Sequence, residues 1–119
     1  MIPYGRQDIT NSDIDKVIEV LRSDFLTQGP LVPDFEKKIR KKVGAKHAVA
    51  LNSATSALHA CCKALGLGTG DLLWTSPITF VASANCALYC GAEVDFVDID
   101  PDTFNISIDE LKLKLGLAE

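Results

Sequence analysis

Apolar residues near the start of the chain recur at helical spacing. Ile14, Val17, Ile18 and Leu21 follow i, i+3, i+4, i+7, the stripe of an amphipathic helix. Ser12 stands where an N-cap is wanted, and Asp13 and Asp15 follow it, where acids complement the helix dipole. The spacing predicts a helix over 13–22 with Asp15, Lys16, Glu19 and Arg22 on its polar face. The stretch from Ser23 to Pro30 has no period and sets Phe25 and Leu26 beside polar residues. A second stripe, Leu31, Phe35, Ile39 and Val43, predicts a helix over 31–43 stopped by Gly44. The basic run Lys37–Lys42 falls on its solvated face and last turn, where it complements the dipole and aids solubility.

From residue 47 the pattern changes. His47–Leu51 is a short apolar run that predicts a buried strand, and Asn52-Ser53 caps a helix from Ala54 to Leu65 that ends at Gly66. Leu72–Thr75 predicts a second strand, and Ser76-Pro77 punctuates it. A helix is expected over 80–89, ending at Gly91, then a third strand over 93–97. Ser107 and Glu110 have capping-box spacing and open a last helix through Leu115. The order β-α-β-α-β-α predicts an α/β layer with a largely parallel sheet. The chain thus divides at the level of pattern into a helical segment with its connector, 1–46, and a layered region, 47–119.

Composition narrows the function classes. A length of 119 residues suits one domain. Twelve Lys and Arg against sixteen Asp and Glu give a net charge of −4, which argues against nucleic acid and against an anionic membrane surface as partners. Apolar residues at 47% and charged residues at 24% are those of a folded chain. The most apolar stretch, Phe80 to Ala92, is broken by Ser83 and Asn85 and is too short for a membrane span. The opening residues lack a basic start followed by an apolar core, so no signal peptide is read and the cytoplasm is the expected compartment. Cys61 and Cys62 are adjacent, and Cys86 and Cys90 lie four apart. They read as small apolar residues in a reducing compartment. No C-x-x-C pair exists to join His47 and His59, and no metal site is assigned.

In a parallel α/β sheet, ligands bind where strands end and helices begin. After the first expected strand stands Asn52-Ser53-Ala54-Thr55-Ser56-Ala57-Leu58. The first N–H groups of a helix lack intrahelical acceptors, and small side chains let an anion approach them, so a phosphate fits without a basic residue. Taken alone, the same residues read first as an ordinary Ser/Thr-rich N-cap. After the second strand, Phe80 could cover a flat ring, although a core position is the commoner fate of an aromatic. After the third strand, Asp98, Asp100 and Asp102 suit either a magnesium site or, more simply, a turn. Gly66-Leu67-Gly68-Thr69-Gly70-Asp71 follows a helix and precedes a strand, the wrong context for a dinucleotide loop, and no P-loop lysine follows any strand.

Taken in order, these segments resemble the N-terminal third of the DegT-type sugar aminotransferases, which use pyridoxal phosphate. The likeness rests on Pro3-Tyr4-Gly5-Arg6-Gln7, Phe25–Pro30, Phe35-Glu36, Asn52–Leu58, Leu65–Asp71, Pro77–Ala82 and Gly91–Asp98. The opening and Leu26-Thr27-Gln28-Gly29 look most like the branch that acts on a UDP-linked 4-keto-6-deoxy sugar on the route to pseudaminic acid. The resemblance implies the N-terminal part of a three-layer α/β/α fold, fold type I of the pyridoxal-phosphate transferases. It implies that Thr55 and Ser56 hold the cofactor phosphate and that Phe80 stacks on the pyridine ring. Tyr4, Asp24, Phe25, Leu26, Thr27 and Ala54 then match positions that line the nucleotide-sugar site. The implied reaction moves an amino group from glutamate to the keto sugar, in a homodimer with shared active sites.

The resemblance also implies what this stretch lacks. None of Lys16, Lys37, Lys38, Lys41, Lys42, Lys46, Lys63, Lys112 or Lys114 matches the family's Schiff-base lysine. The expectation is therefore a fragment, inactive alone and prone to self-association, because residues 47–51 would lack their sheet neighbours. A dehydrase of the same fold and a non-catalytic nucleotide-binding α/β module remain the alternatives.

Overall fold

The computed structural model describes residues 5–117. The chain forms two compact units, the first ending at Ala50 and the second beginning at Leu51. The first unit contains α1 (Asn11–Leu21) and α2 (Leu31–Val43). α1 starts earlier than its apolar stripe suggests, because its cap is Thr10 and not Ser12. The Asp13 carboxylate accepts the Thr10 N–H at 2.8 Å, and the Asp13 N–H donates back to the Thr10 hydroxyl at 3.4 Å. This reciprocal box satisfies two amides that the helix itself cannot. α2 ends as expected at Gly44, whose φ of 68° is the left-handed conformation that glycine adopts at least cost. Neither helix contains a buried residue.

The second unit contains α3 (Ala54–Ala64), β1 (Leu72–Thr75), α4 (Ala82–Leu88), β2 (Glu93–Phe96) and α5 (Ile108–Leu117). β1 and β2 are parallel, with Leu72 opposite Glu93 and Thr75 opposite Phe96. Two further bonds extend the ladder, from Glu93 N–H to the Asp71 carbonyl and from Val97 N–H to the Thr75 carbonyl, each 2.9 Å. Parallel neighbours require a crossover, and α4 provides it, packing on both strands and on α3. The core is small and made largely of small side chains: Cys62, Ala82, Cys86, Ala87, Cys90, Ala92 and Val97. Leu67 and Leu73 pack against its three cysteines. The cysteines thus serve as apolar filling between α3, α4 and β1.

One expected element is corrected. Residues 47–51 are not a strand, and the sheet contains β1 and β2 alone among the described residues. A strand is defined by its ladder, and no neighbour among the described residues pairs with this stretch. The helix expected over 80–89 is likewise shorter, Ala82–Leu88. Asp98–Asp102 resolves as a turn. The Asp100 carboxylate accepts the N–H groups of Asp102 and Thr103 at 3.0 and 2.8 Å.

Candidate functional site

The first turn of α3 brings Ala54, Thr55 and Ser56 together. Ser53 caps the helix from an extended conformation, and its hydroxyl accepts the Ser56 N–H at 3.1 Å. The same hydroxyl donates to the Ser56 hydroxyl at 3.0 Å. The Ala57 N–H is taken by the Ser53 carbonyl at 3.1 Å. Ser53 is therefore committed to the cap and is not a free donor. That leaves the amides of Ala54 and Thr55, which lie ahead of the first intrahelical acceptor, and the hydroxyls of half-buried Thr55 and Ser56. No acidic residue stands in this turn, whereas α1, α2 and α5 carry Asp13, Asp34, and Asp109 with Glu110 in theirs. A dianion placed here would meet amides, hydroxyls and the positive end of the dipole, with no carboxylate in the same turn. The residues present fit a phosphate ester.

Phe80 follows the carboxyl end of β1 and stands two residues before α4, which packs on α3. Phe80 is 74% exposed, so it is not a core residue, and an exposed aromatic can cover a planar ligand. Its backbone is fixed, since the Phe80 carbonyl accepts the Ser83 N–H at 2.9 Å.

Asp24, Phe25, Leu26 and Thr27 share the connector between α1 and α2, and all four are exposed. The Ser23 hydroxyl ties the connector down by donating to the carbonyls of Val20 and Phe25 at 2.8 and 3.1 Å. Gln28 turns the chain with a φ of 53°, an uncommon conformation for a residue with a side chain. Phe25 lines a shallow cavity of about 260 Å³ with Val20, Ser23, Pro30 and Leu31. Tyr4 lies outside the described residues.

Two contributors escaped the sequence reading. A Cβ on Gly29 would fall 2.7 Å from the Phe25 Cβ, so the connector closes only over a glycine. Glu36 reaches from α2 to accept the Ala50 N–H at 2.8 Å. The first had a sequence signal in the Gly-Pro pair; the second stands in the Phe35-Glu36 pair of the family likeness, but its partner Ala50 left no signal, because an acid on a helix reads as surface. Among the described residues, four of the nine lysines pair with acids, Lys112 with Asp109 at 3.4 Å among them. Lys16 pairs with Glu19 and Lys38 with Asp34, at 2.8 and 2.7 Å, and Lys114 binds Asp95 and the Phe96 carbonyl.

Comparison with known proteins bears on this arrangement. The family model for the DegT/DnrJ/EryC1/StrS aminotransferases matches residues 7–115. The UDP-4-amino-4,6-dideoxy-N-acetyl-beta-L-altrosamine transaminase of Campylobacter jejuni is 46% identical over 119 residues, all of this chain and 31% of that protein. Among solved structures, Spr1654 of Streptococcus pneumoniae in its PLP form superposes with a TM-score of 0.89 at 35% identity, over 94% of this chain and 29% of that one. Helicobacter pylori PseC, an aminotransferase involved in the biosynthesis of pseudoaminic acid, gives 0.87 at 36% identity, over 93% and 30%. The chain spans about a third of the length of the relatives it matches. Its fold is the N-terminal part of fold type I of the pyridoxal-phosphate transferases, and the chain belongs to the DegT/DnrJ/EryC1/StrS aminotransferase family.

Proposed function

We propose that this chain supplies the cofactor-phosphate cradle and part of the sugar-nucleotide site of a pyridoxal-phosphate aminotransferase. The substrate is a UDP-linked 4-keto-6-deoxy sugar, the amino donor is glutamate, and the working enzyme is a dimer. One observation carries the reading: the first turn of α3 offers two amides and two hydroxyls with no acid among them. Pyridoxal phosphate, when bound, supplies an electron sink for the carbon that loses or gains the amino group. The chain's own residues then have distinct tasks. Thr55 and Ser56 anchor the phosphate with Ala54, Phe80 covers the ring, and the connector Asp24–Thr27 meets the nucleotide sugar. The lysine that binds the cofactor covalently comes from outside these 119 residues.

The test is equilibrium binding of pyridoxal phosphate to a protein extended to its relatives' length. Replacing Thr55 and Ser56 together by alanine removes two hydroxyl donors and leaves Ser53 to cap α3. Affinity should fall about tenfold or more, the cost of one to two hydrogen bonds to a charged group. An unchanged dissociation constant removes both residues from the site. Transfer of the glutamate amino group is to be assayed in a protein extended to its relatives' length, and failure with UDP-linked keto sugars would refute the substrate assignment.

A further inference from the structure

The contact between α3 and α4 begins one turn below the cradle. His59 follows Thr55 by four residues and Ser56 by three, spacings that stack side chains on one helix face. Its imidazole meets the Tyr89 ring edge-on, with centroids 5.4 Å apart and planes at 62°, an arrangement that aromatic rings prefer. The buried Nε2 of His59 has no hydrogen-bond partner among the described residues, so within them the ring acts by packing. A second contact lies one turn away on each helix. Cys62 follows His59 by three residues, Cys86 precedes Tyr89 by three, and both cysteines are buried in one cluster. Two contacts along a pair of helices fix an angle as well as a distance.

That angle matters at the far end of α4. Tyr89 caps the C-terminus of this helix, and Phe80 stands two residues before its start. Seven residues of helix are about 10 Å long, so a tilt of about 6° pivoting at Tyr89 moves the Phe80 end by about 1 Å. The buried residues of α4 are Ala82, Cys86 and Ala87, all small, and the two rings supply the bulk at the Tyr89 end. The geometry points to His59 and Tyr89 as positioning residues that hold the phosphate cradle of α3 at a fixed spacing from Phe80. The inference rests on the cofactor site proposed above and deepens it. A ligand that joins a phosphate to a planar ring feels this spacing, whereas a phosphate alone feels only the cradle.

The experiment measures two dissociation constants in a protein extended to its relatives' length. Pyridoxamine phosphate carries the phosphate and the ring but no aldehyde, so it reads the two features without a Schiff base. Inorganic phosphate reads the cradle alone. His59→Ala and Tyr89→Ala should each weaken pyridoxamine phosphate about three- to tenfold, the worth of one aromatic contact, and leave inorganic phosphate unchanged. Tyr89→Phe keeps the ring and should match the parent. In a Phe80→Ala background, His59→Ala should have no further effect. Unchanged pyridoxamine phosphate affinity in both alanine variants overturns the inference. Equal weakening of both ligands overturns it too, since the rings would then support the fold or the cradle in general, and so does a Tyr89→Phe variant as weak as Tyr89→Ala. None of these results touches the cofactor site itself. That reading fails separately, and takes the inference with it, if Thr55→Ala with Ser56→Ala leaves both dissociation constants where they were.

Discussion

At the scale of single residues, two side chains give sharp expectations. Cys62 is buried, and that burial, with the adjacent Cys86 thiol second, raises its pKa from 9.0 to about 11. A thiol titrating there is only about 0.1% thiolate at pH 8. Alkylation with iodoacetamide at that pH should therefore consume exposed Cys61 first and leave Cys62, Cys86 and Cys90 until the core opens. Mass spectrometry of a time course reads the order, and early labelling of Cys62 would contradict the packing of α3 on α4. Gly29 is the second case. Gly29→Ala sets a Cβ 2.7 Å from the Phe25 Cβ and should cost about 1–3 kcal/mol, the usual penalty of overpacking. A urea midpoint that does not move would mean the connector relaxes freely. The Ser53 cap of α3 was legible in sequence because Asn-Ser before a run of small and apolar residues leaves a pattern. The closure of Gly29 over Phe25 is a tertiary distance, and the Gly-Pro pair signals only that a turn is near.

Elements were legible where their own residues complete them and illegible where a neighbour must. α2 could be bounded because Leu31–Val43 holds its stripe and Gly44 its stop. α1 was displaced by two residues at its start, since Asn11 and Ser12 are polar and its apolar period begins only at Ile14. What fixes the start is the pair Thr10 and Asp13, at capping-box spacing with aspartate in the place glutamate usually takes. Thr10→Ala removes the cap and should cost about 1 kcal/mol, read as lost helicity by circular dichroism and as fraying of residues 11–14 in amide exchange. A helix that starts unchanged would exclude the box as its origin. Residues 47–51 show the other limit. Their composition is that of a strand, but a strand is a relation between two segments, and among the described residues the sheet pairs β1 only with β2.

At the scale of the whole molecule, acid should be the condition that distinguishes what holds the chain together. Four carboxyls titrate below the ordinary 3.8, each for a local reason: Asp13 by the Thr10 N–H, Asp34 by Lys38, Asp95 by Lys114 and Asp100 by the Thr103 N–H. A carboxyl whose pKa is lower folded than unfolded contributes its full stability above the unfolded value, and the contribution disappears as pH falls through the folded one. Stability should therefore be flat from neutral pH down to about 4, then decline as these four are protonated. The causes separate with salt. The Asp34 and Asp95 contributions come from exposed or half-exposed lysines and should shrink at high ionic strength, whereas the Asp13 and Asp100 contributions come first from backbone N–H groups in direct contact and should persist. Asp100→Asn leaves an oxygen for the turn but removes the charge, so its urea midpoint should change less between pH 6 and pH 3 than the parent's. An Asp100→Asn profile that parallels the parent throughout would show that the Pro101–Phe104 turn is not linked to folding. The second unit would then owe its acid sensitivity to Asp95 and Lys114, where α5 meets β2.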